Sequence, residues 1–335
     1  MGASIKDVAR HAGVSVKTVS NVINDFPFVS AATRVKVQQA LEDLDYRPNL
    51  SARQLRGGRT GVVALAVPEI SSPYFAELAA QFVQQAKGHN WTVLIDETQG
   101  DRESERVVLD GIKSHLVDGL IVSPLALSAA DIGARRDSTP LVLLGERLAR
   151  APVDHVSIDN VDGARTATAH LIAIGRRRIA AIGSQPEVSG GTAALRLRGY
   201  RAALRSAGLP YQPSLVRPAP SYHRSDGYRA MNALLGLPDP PDAVFCFNDL
   251  LAIGALRALH ERDRRVPADV AVIGFDGIEE ADFATPALST IRPDKGEIAR
   301  LALALLDRRI TAGAGASPQE AYAGFDLLIR HSTGG

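Results

Sequence analysis

The sequence predicts an α/β protein: an N-terminal all-α helix-turn-helix head, then a two-lobed body of parallel sheets flanked by helices. Three observations carry this. From Gly61 onward, short β-branched runs alternate with helical patterns of about ten to fifteen residues, and parallel strands need such helical crossovers. About eight of these units are more than one open sheet usually takes, so the body divides into two lobes. The first 60 residues have a different rhythm, three short helical patterns around one Gly-containing tight turn, which is how a helix-turn-helix reads.

In the head, Ser4 with Asp7 forms a capping-box start for a helix carrying Ile5, Val8, Ala9 and Ala12. Gly13 breaks it. Ser15 caps a second helix, with Val19, Val22 and Ile23 on one face, and Ser30 caps a third, with Val37, Leu41 and Leu44 at i, i+4 and i+7.

In the body, strands are expected at Val62–Val67, Trp91–Ile95, Gly119–Val122, Leu141–Leu144, His155–Ile158, Arg178–Ile182, Ala243–Phe247 and Val270–Phe275. Helices are expected at Phe75–Lys87, Arg102–His115, Ala164–Ile174 and Leu250–Arg262. Gly175 reads as a C-cap, and the Pro/Gly-rich stretches Leu209–Pro220 and Leu237–Pro241 read as loops.

Composition narrows the class. The 45% apolar and 22% charged content excludes collagen-like, disordered and coiled-coil chains, and a single cysteine excludes a disulfide framework or a Cys-rich zinc site. The longest apolar runs fall far short of a membrane span and residues 1–30 carry no apolar leader core, which reads as soluble and cytoplasmic. Residues 1–60 hold nine Lys or Arg against five acids, a charge of +4, whereas the remaining 275 residues sum to −3. A basic head on a mildly acidic body suggests that the head alone meets a polyanion.

The second helix of a helix-turn-helix enters the major groove with its N-terminal residues on base edges. With Val19 facing inward, Val16, Lys17 and Asn21 project outward, offering an apolar contact for a thymine methyl, a donor for guanine and an amide for adenine. Ser15, Thr18, Ser20 and Asn24 are short polar groups suited to phosphate oxygens.

Ser4-Ile5-Lys6-Asp7-Val8-Ala9-Arg10-His11-Ala12-Gly13-Val14-Ser15, Thr18-Val19-Ser20-Asn21-Val22-Ile23-Asn24, Val29-Ser30, Thr33-Arg34 and Tyr46-Arg47-Pro48-Asn49 together resemble the head of the LacI/GalR repressor family, and the likeness extends through the α/β body. The resemblance implies a helix-turn-helix DNA-binding domain at 1–47, a hinge helix and linker at 48–60, and an effector-binding and dimerisation domain at 61–335. It adds Ser30, Thr33, Tyr46 and Asn49 to the DNA-backbone contacts. Asn49 can cap a helix over 50–56 that Gly57-Gly58 ends, and about eight residues is below what an isolated helix needs in water. In the family this hinge folds on operator DNA and wedges a leucine into the minor groove. The matching residues are Leu55 and, one turn earlier, Ala52, with the kink recovering the unstacking cost through added protein contact. Phe28 departs from the pattern, standing where relatives often carry a polar or basic residue.

For the body, the resemblance implies a periplasmic-binding-protein-like fold whose lobes close over a small-molecule effector, a sugar being favoured. Arg196, Asn248 and Asp276 match the effector-binding arginine, amide and carboxylate. Tyr222 falls at a stacking aromatic, Tyr74 and Phe75 follow the first strand, and Ser123 ends the third; where some relatives place an acid one position earlier, either Glu146 supplies the charge from a shifted position or the site lacks it. Pro293 and Lys295 differ from better-known sugar-binding members. The run Arg176-Arg177-Arg178 is expected to serve a helix C-terminus.

No P-loop, HExxH, GxSxG or strand-borne GxGxxG motif is present, the eight histidines show no ligand spacing, and Cys246 between two phenylalanines reads as a buried strand residue. The chain therefore reads as non-enzymatic, with no cofactor or metal, and the resemblance implies a homodimeric regulator, a repressor that binds a pseudo-palindromic operator under effector control. The alternative is a cytoplasmic sugar-binding protein without specific DNA recognition.

Overall fold

The computed structural model describes residues 3–23, 26–46, 59–111, 116–145, 152–185, 191–313 and 317–335. The chain divides into two compact units, Met1–Thr60 and Gly61–Gly335.

The head consists of α1 (Ile5–Ala12), α2 (Val16–Ile23) and α3 (Ala31–Asp43). The capping box closes in both directions, Asp7 N donating to Ser4 Oγ at 3.3 Å and Ser4 N to the Asp7 carboxylate at 3.0 Å. This satisfies two N-terminal donors that the first turn leaves without partners. Gly13 ends α1 at φ 64°, a left-handed conformation that costs glycine nothing. Ser15 Oγ then accepts Thr18 N at 3.1 Å, and Ser30 Oγ accepts Thr33 N at 3.3 Å. Val8, Ala9, Val19, Val22, Val37 and Ala40 bury a small common core.

In the body, the first lobe holds β1 (Val62–Val67), α4 (Pro73–Ala86), β2 (Thr92–Glu97), α5 (Arg102–Leu109), β3 (Gly119–Val122), α6 (Ala129–Ala134), β4 (Leu141–Leu144) and β5 (Asp154–Ile158). The chain then crosses to the second lobe, built from α7 (Asn160–Ala173), β6 (Ile179–Ser184), α8 (Gly191–Ser206), β7 (Val216–Pro218), α9 (Arg224–Leu235), β8 (Ala243–Cys246), α10 (Asp249–Glu261), β9 (Ala271–Phe275), α11 (Glu279–Phe283) and β10 (Ser289–Pro293). It returns through α12 (Lys295–Ala312), which packs on α4 and the first sheet, and ends with β11 (Glu320–Ala323) in the first sheet and β12 (Phe325–Leu328) in the second.

Among the described residues the strands form two six-stranded sheets, ordered β11-β5-β4-β3-β1-β2 and β12-β10-β9-β8-β6-β7. Pairing is parallel throughout except for β12 against β10. Runs such as Val62–Val67 are buried almost end to end because helices cover both sheet faces. In each sheet the winding reverses between the first and third strands of the lobe, β1 and β3 in one, β6 and β8 in the other. Such switch points open a crevice at the carboxyl ends of the strands.

Several boundaries differ from the sequence reading. The expected helix over 102–115 ends at Leu109, with 112–115 outside the described residues. The loop read at 209–220 contains β7, a three-residue edge strand ending in Pro218, which is where a strand tolerates proline. β10, β11 and β12 were not expected, because Ser289-Thr290 and the mixed run of 320–328 lack the apolar density of the other strands.

Two helix pairs approach at backbone distance. A Cβ on Gly199 would lie 2.2 Å from the Val161 carbonyl oxygen, one on Gly227 2.0 Å from that of Leu251, and one on Gly254 1.9 Å from that of Arg224. The neighbours are rigid backbone, so they cannot yield locally. Gly254→Ala is expected to destabilise the protein by about 3 kcal/mol or more through overpacking. Its urea midpoint read against that of Gly133→Ala, where a Cβ meets nothing within 4 Å, checks this.

Candidate functional site

A cavity of about 780 Å³ lies between the two lobes, at the carboxyl ends of the strands flanking both switch points. Its second-lobe wall centres on Arg196, which projects from α8 and is only 6% exposed. A buried guanidinium needs its donors satisfied. Here Nε donates to Asn160 Oδ1 at 2.7 Å, one terminal nitrogen donates to the Phe247 carbonyl, and the other lies 3.6 Å from Asp276 Oδ1. The planar group stacks on Phe275, 3.5 Å from the ring centroid. N–H groups on the terminal nitrogens remain for a ligand.

Asp276 follows β9 at φ 117°, and Tyr222 precedes α9 at φ 55°. Non-glycine residues in that region are strained, and such strain persists only where surroundings hold it. Tyr222 is held at both ends, its hydroxyl donating to the Gly183 carbonyl at 2.7 Å and its own carbonyl accepting from Asn248 Nδ2 at 3.0 Å. Asn248 also caps α10, its Oδ1 accepting Leu251 N at 2.9 Å. Its second amide N–H is left for a ligand. Burial pushes the Tyr222 phenol up.

Two neighbouring carboxyls differ in environment. Burial raises Asp276 to about 6, opposed by the Arg196 and Lys295 cations and assisted by Glu77. Asp249, fully buried, is pushed up to about 8 by burial and by the nearby Asp276, against the Thr290 hydroxyl at 2.6 Å and Ile278 N at 3.0 Å.

On the first-lobe wall, Pro73 opens α4 at a position where proline has no donor to lose. Tyr74 and Phe75 follow it, half-buried and edge-to-face at 5.2 Å. Ser123, just past β3, donates its backbone N–H to the Ala66 carbonyl and lines the cavity. Across the cavity, His223 of the second lobe lies 2.9 Å from Glu69 of the first.

The structure thus places Tyr74, Phe75, Ser123, Arg196, Tyr222, Asn248 and Asp276 around one cavity. Glu146 lies outside the described residues. Sequence reasoning missed Asn160, Glu69, His223 and Glu77. Of these only Asn160 had a signal, as the residue that starts a helix directly after a strand-end Asp.

In the head, Lys17 is exposed, but Val16 and Asn21 are half-buried and Val16 packs partly on the head core. α2 is short, and its first turn leans on the small core through Val16. The hydroxyls of Ser15 and Thr18 bond each other at 2.8 Å, as do those of Ser30 and Thr33. Ser20 and Tyr46 are half-buried, Tyr46 against the same core. Asn24, Asn49, Ala52 and Leu55 lie outside the described residues. Phe28 is 86% exposed and packs edge-on to Phe26.

Arg177 donates to the Ile172 carbonyl at the end of α7. Among the described residues no group of His, Cys, Asp or Glu is placed to hold a metal, and no helix is long and apolar enough to cross a membrane. Cys246 is buried and its thiol is pushed up by burial.

A helix-turn-helix unit joined to a two-lobed α/β unit with a polar cleft defines a DNA-binding regulator controlled by a small molecule. Residues 4–49 match the model of "Bacterial regulatory proteins, lacI family", and 168–333 that of "Periplasmic binding protein-like domain". The ribose operon repressor of Escherichia coli (strain K12) is 35% identical over 311 residues, covering 92% of this chain and 93% of that protein. The chain belongs to the lacI family of bacterial regulatory proteins. Among solved structures it is similar to the lac repressor dimer bound to operator and the anti-inducer ONPF (27% identity, 99% of each chain, TM-score 0.85). It is also similar to the transcriptional regulator CelR in complex with cellobiose (32% identity, 98% and 99% of the chains, TM-score 0.72).

The raised carboxyl of Asp249 carries a stability consequence. The unfolded chain releases that proton near its ordinary value of 3.8, whereas the fold retains it to about 8. Stability is therefore lost progressively as pH rises between those values. Asp249→Asn is expected to flatten that fall, checked by urea unfolding at a series of pH values against the unaltered protein.

Proposed function

We propose that this chain is a homodimeric, cytoplasmic repressor whose binding to a pseudo-palindromic operator is controlled by a sugar seated in the interlobe cleft, with no reaction catalysed. The observation that carries it is the buried Arg196 set against Asp276 on a cleft wall, in a chain whose other unit is a helix-turn-helix. A carboxylate accepts from two adjacent hydroxyls while a guanidinium donates to their oxygens, which is the chemistry of a vicinal diol. Tyr74 and Phe75 supply apolar area for a ring face, and Ser123, Tyr222 and Asn248 complete the polar contacts. A sugar complex is described for CelR, and an operator complex for the lac repressor dimer.

In the head, Lys17, Asn21 and Val16 are assigned to base edges, and Ser15, Thr18, Ser20, Asn24, Ser30, Thr33, Tyr46 and Asn49 to the backbone. Ala52 and Leu55 are assigned to the minor groove. The paired hydroxyls Ser15–Thr18 and Ser30–Thr33 sit at helix N-termini, where phosphate oxygens also find backbone N–H groups. Sugar binding would change the lobe angle and with it the hinge contacts with DNA, a coupling between two sites.

The test is fluorescence anisotropy on DNA upstream of the protein's own gene, against scrambled DNA, over a salt series with D-ribose, D-glucose, D-galactose and cellobiose. Specific binding with a steep salt slope, altered by one sugar, is expected. Equal weak binding to both DNAs without any sugar effect would overturn the proposal in favour of a sugar-binding protein lacking DNA specificity. Asp276→Ala is expected to raise the sugar concentration needed for the response at least about tenfold, since a hydrogen bond to a charged group is lost.

A further inference from the structure

Lys295 is the first residue of α12, at the point where the chain passes from the second lobe to the first. It is 9% exposed. A cation there sits at the positive end of a helix dipole and is largely out of water, so it persists only if specific partners compensate. They come from both lobes. Nζ donates to the carbonyls of Asp276 at 2.7 Å and Gly277 at 2.9 Å in the second lobe. It pairs with Glu77 Oε2 at 3.0 Å on α4 in the first, and lies 5.6 Å from the Tyr74 ring centroid. The other oxygen of Glu77 accepts Glu279 N of the second lobe at 2.8 Å.

We propose that Lys295 is the positioning residue of the effector cleft, fixing the Asp276–Gly277 backbone turn and joining it, through Glu77, to the helix that carries Tyr74 and Phe75. The Lys295–Glu77 ion pair thereby ties the two cleft walls together. The positive φ of Asp276 and of Gly277, 117° and 58°, is what the two Lys295 bonds hold in place. Without them the carboxylate would swing away from Arg196. The inference rests on the reading of the cleft as the effector site, but its decisive measurement needs no effector.

The groups facing Asp276 are Arg196 from α8, Lys295 from α12, Glu77 from α4, Asp249 from α10 and Tyr222 before α9. Lys295 and Glu77 act on it with opposite sign, so removing each must move its titration in opposite directions. A role confined to packing predicts no such pattern.

The experiment uses the full chain with carboxyl-labelled aspartate, the Asp276 signal assigned through Asp276→Asn and followed by NMR against pH without ligand. Lys295→Met should raise the Asp276 midpoint by about one unit or more, Lys295→Arg should restore most of it, and Glu77→Gln should lower it. Unmoved midpoints, or shifts in the same direction for Lys295→Met and Glu77→Gln, would overturn the proposal. Should Lys295→Met fail to fold, the charge-conserving Lys295→Arg and the Glu77→Gln shift still decide it. In a second arm, calorimetry with the same four sugars should show affinity for the responding sugar falling about tenfold in Lys295→Met. If no sugar binds the unaltered protein, the sugar reading fails while the titration still judges Lys295.

Discussion

The body is organised around the burial of one guanidinium. Arg196 could not stay in the cleft wall without partners for its N–H groups, and those partners come from separate parts of the chain. Asn160 lies just after the crossing from the first lobe, Phe247 just after β8, and Phe275 and Asp276 at the end of β9. Each is a strand-end or helix-start residue that would otherwise have no reason to converge. Once the guanidinium is placed, Asp276 has its direction, and Asn248 next to Phe247 is placed to cap α10 and restrain Tyr222. Order in the wall therefore spreads outward from a single buried charge.

The convergence is possible because of how parallel sheets are wound. Crossovers return every strand but the antiparallel β12 in the same direction, so their carboxyl ends face one edge, and the reversal at β1/β3 and β6/β8 parts the following loops. Two such edges facing each other make a cleft with donors and acceptors on both sides. The glycines at the α7/α8 and α9/α10 contacts let the covering helices press against each other at backbone distance.

Much of this was legible in the sequence, for physical reasons that also mark the limits. β1, β3 and β4 were placed to the residue because strands buried on both faces are written in continuous apolar residues. The caps Ser4, Ser15 and Ser30 were legible because capping is a local interaction. β10 was not, since Ser289 and Thr290 are buried through hydrogen bonds to Ser332, Thr333 and Asp249, partners that only the tertiary fold supplies. The same holds at the candidate site. Arg196, Asn248 and Asp276 stood out by motif, whereas Glu77 and the Glu69–His223 pair are ordinary surface-type residues until the lobes face each other. Lys295 stood out only as a departure, and its three partners give that departure a physical reason.

The cleft also separates two carboxyls that a simple electrostatic view would treat alike. Burial raises the proton affinity of both, and at Asp249 it outweighs the added push from Asp276; what distinguishes the two is the company each keeps. Asp249 accepts from a hydroxyl and a backbone N–H and lies against Gly274, and the opposing pull of Lys295 on it is weaker than burial, so around neutral pH it holds its proton. Asp276 has Arg196 beside it and Lys295 behind it, so at the same pH it is largely charged. Divergent environments that split a pair of titratable groups into a neutral and a charged member mark a site where one charge is to be used. Asp249 braces the turn through Ile278 without adding a second negative charge, and that leaves Asp276 as the anion that a hydroxyl-bearing ligand would meet.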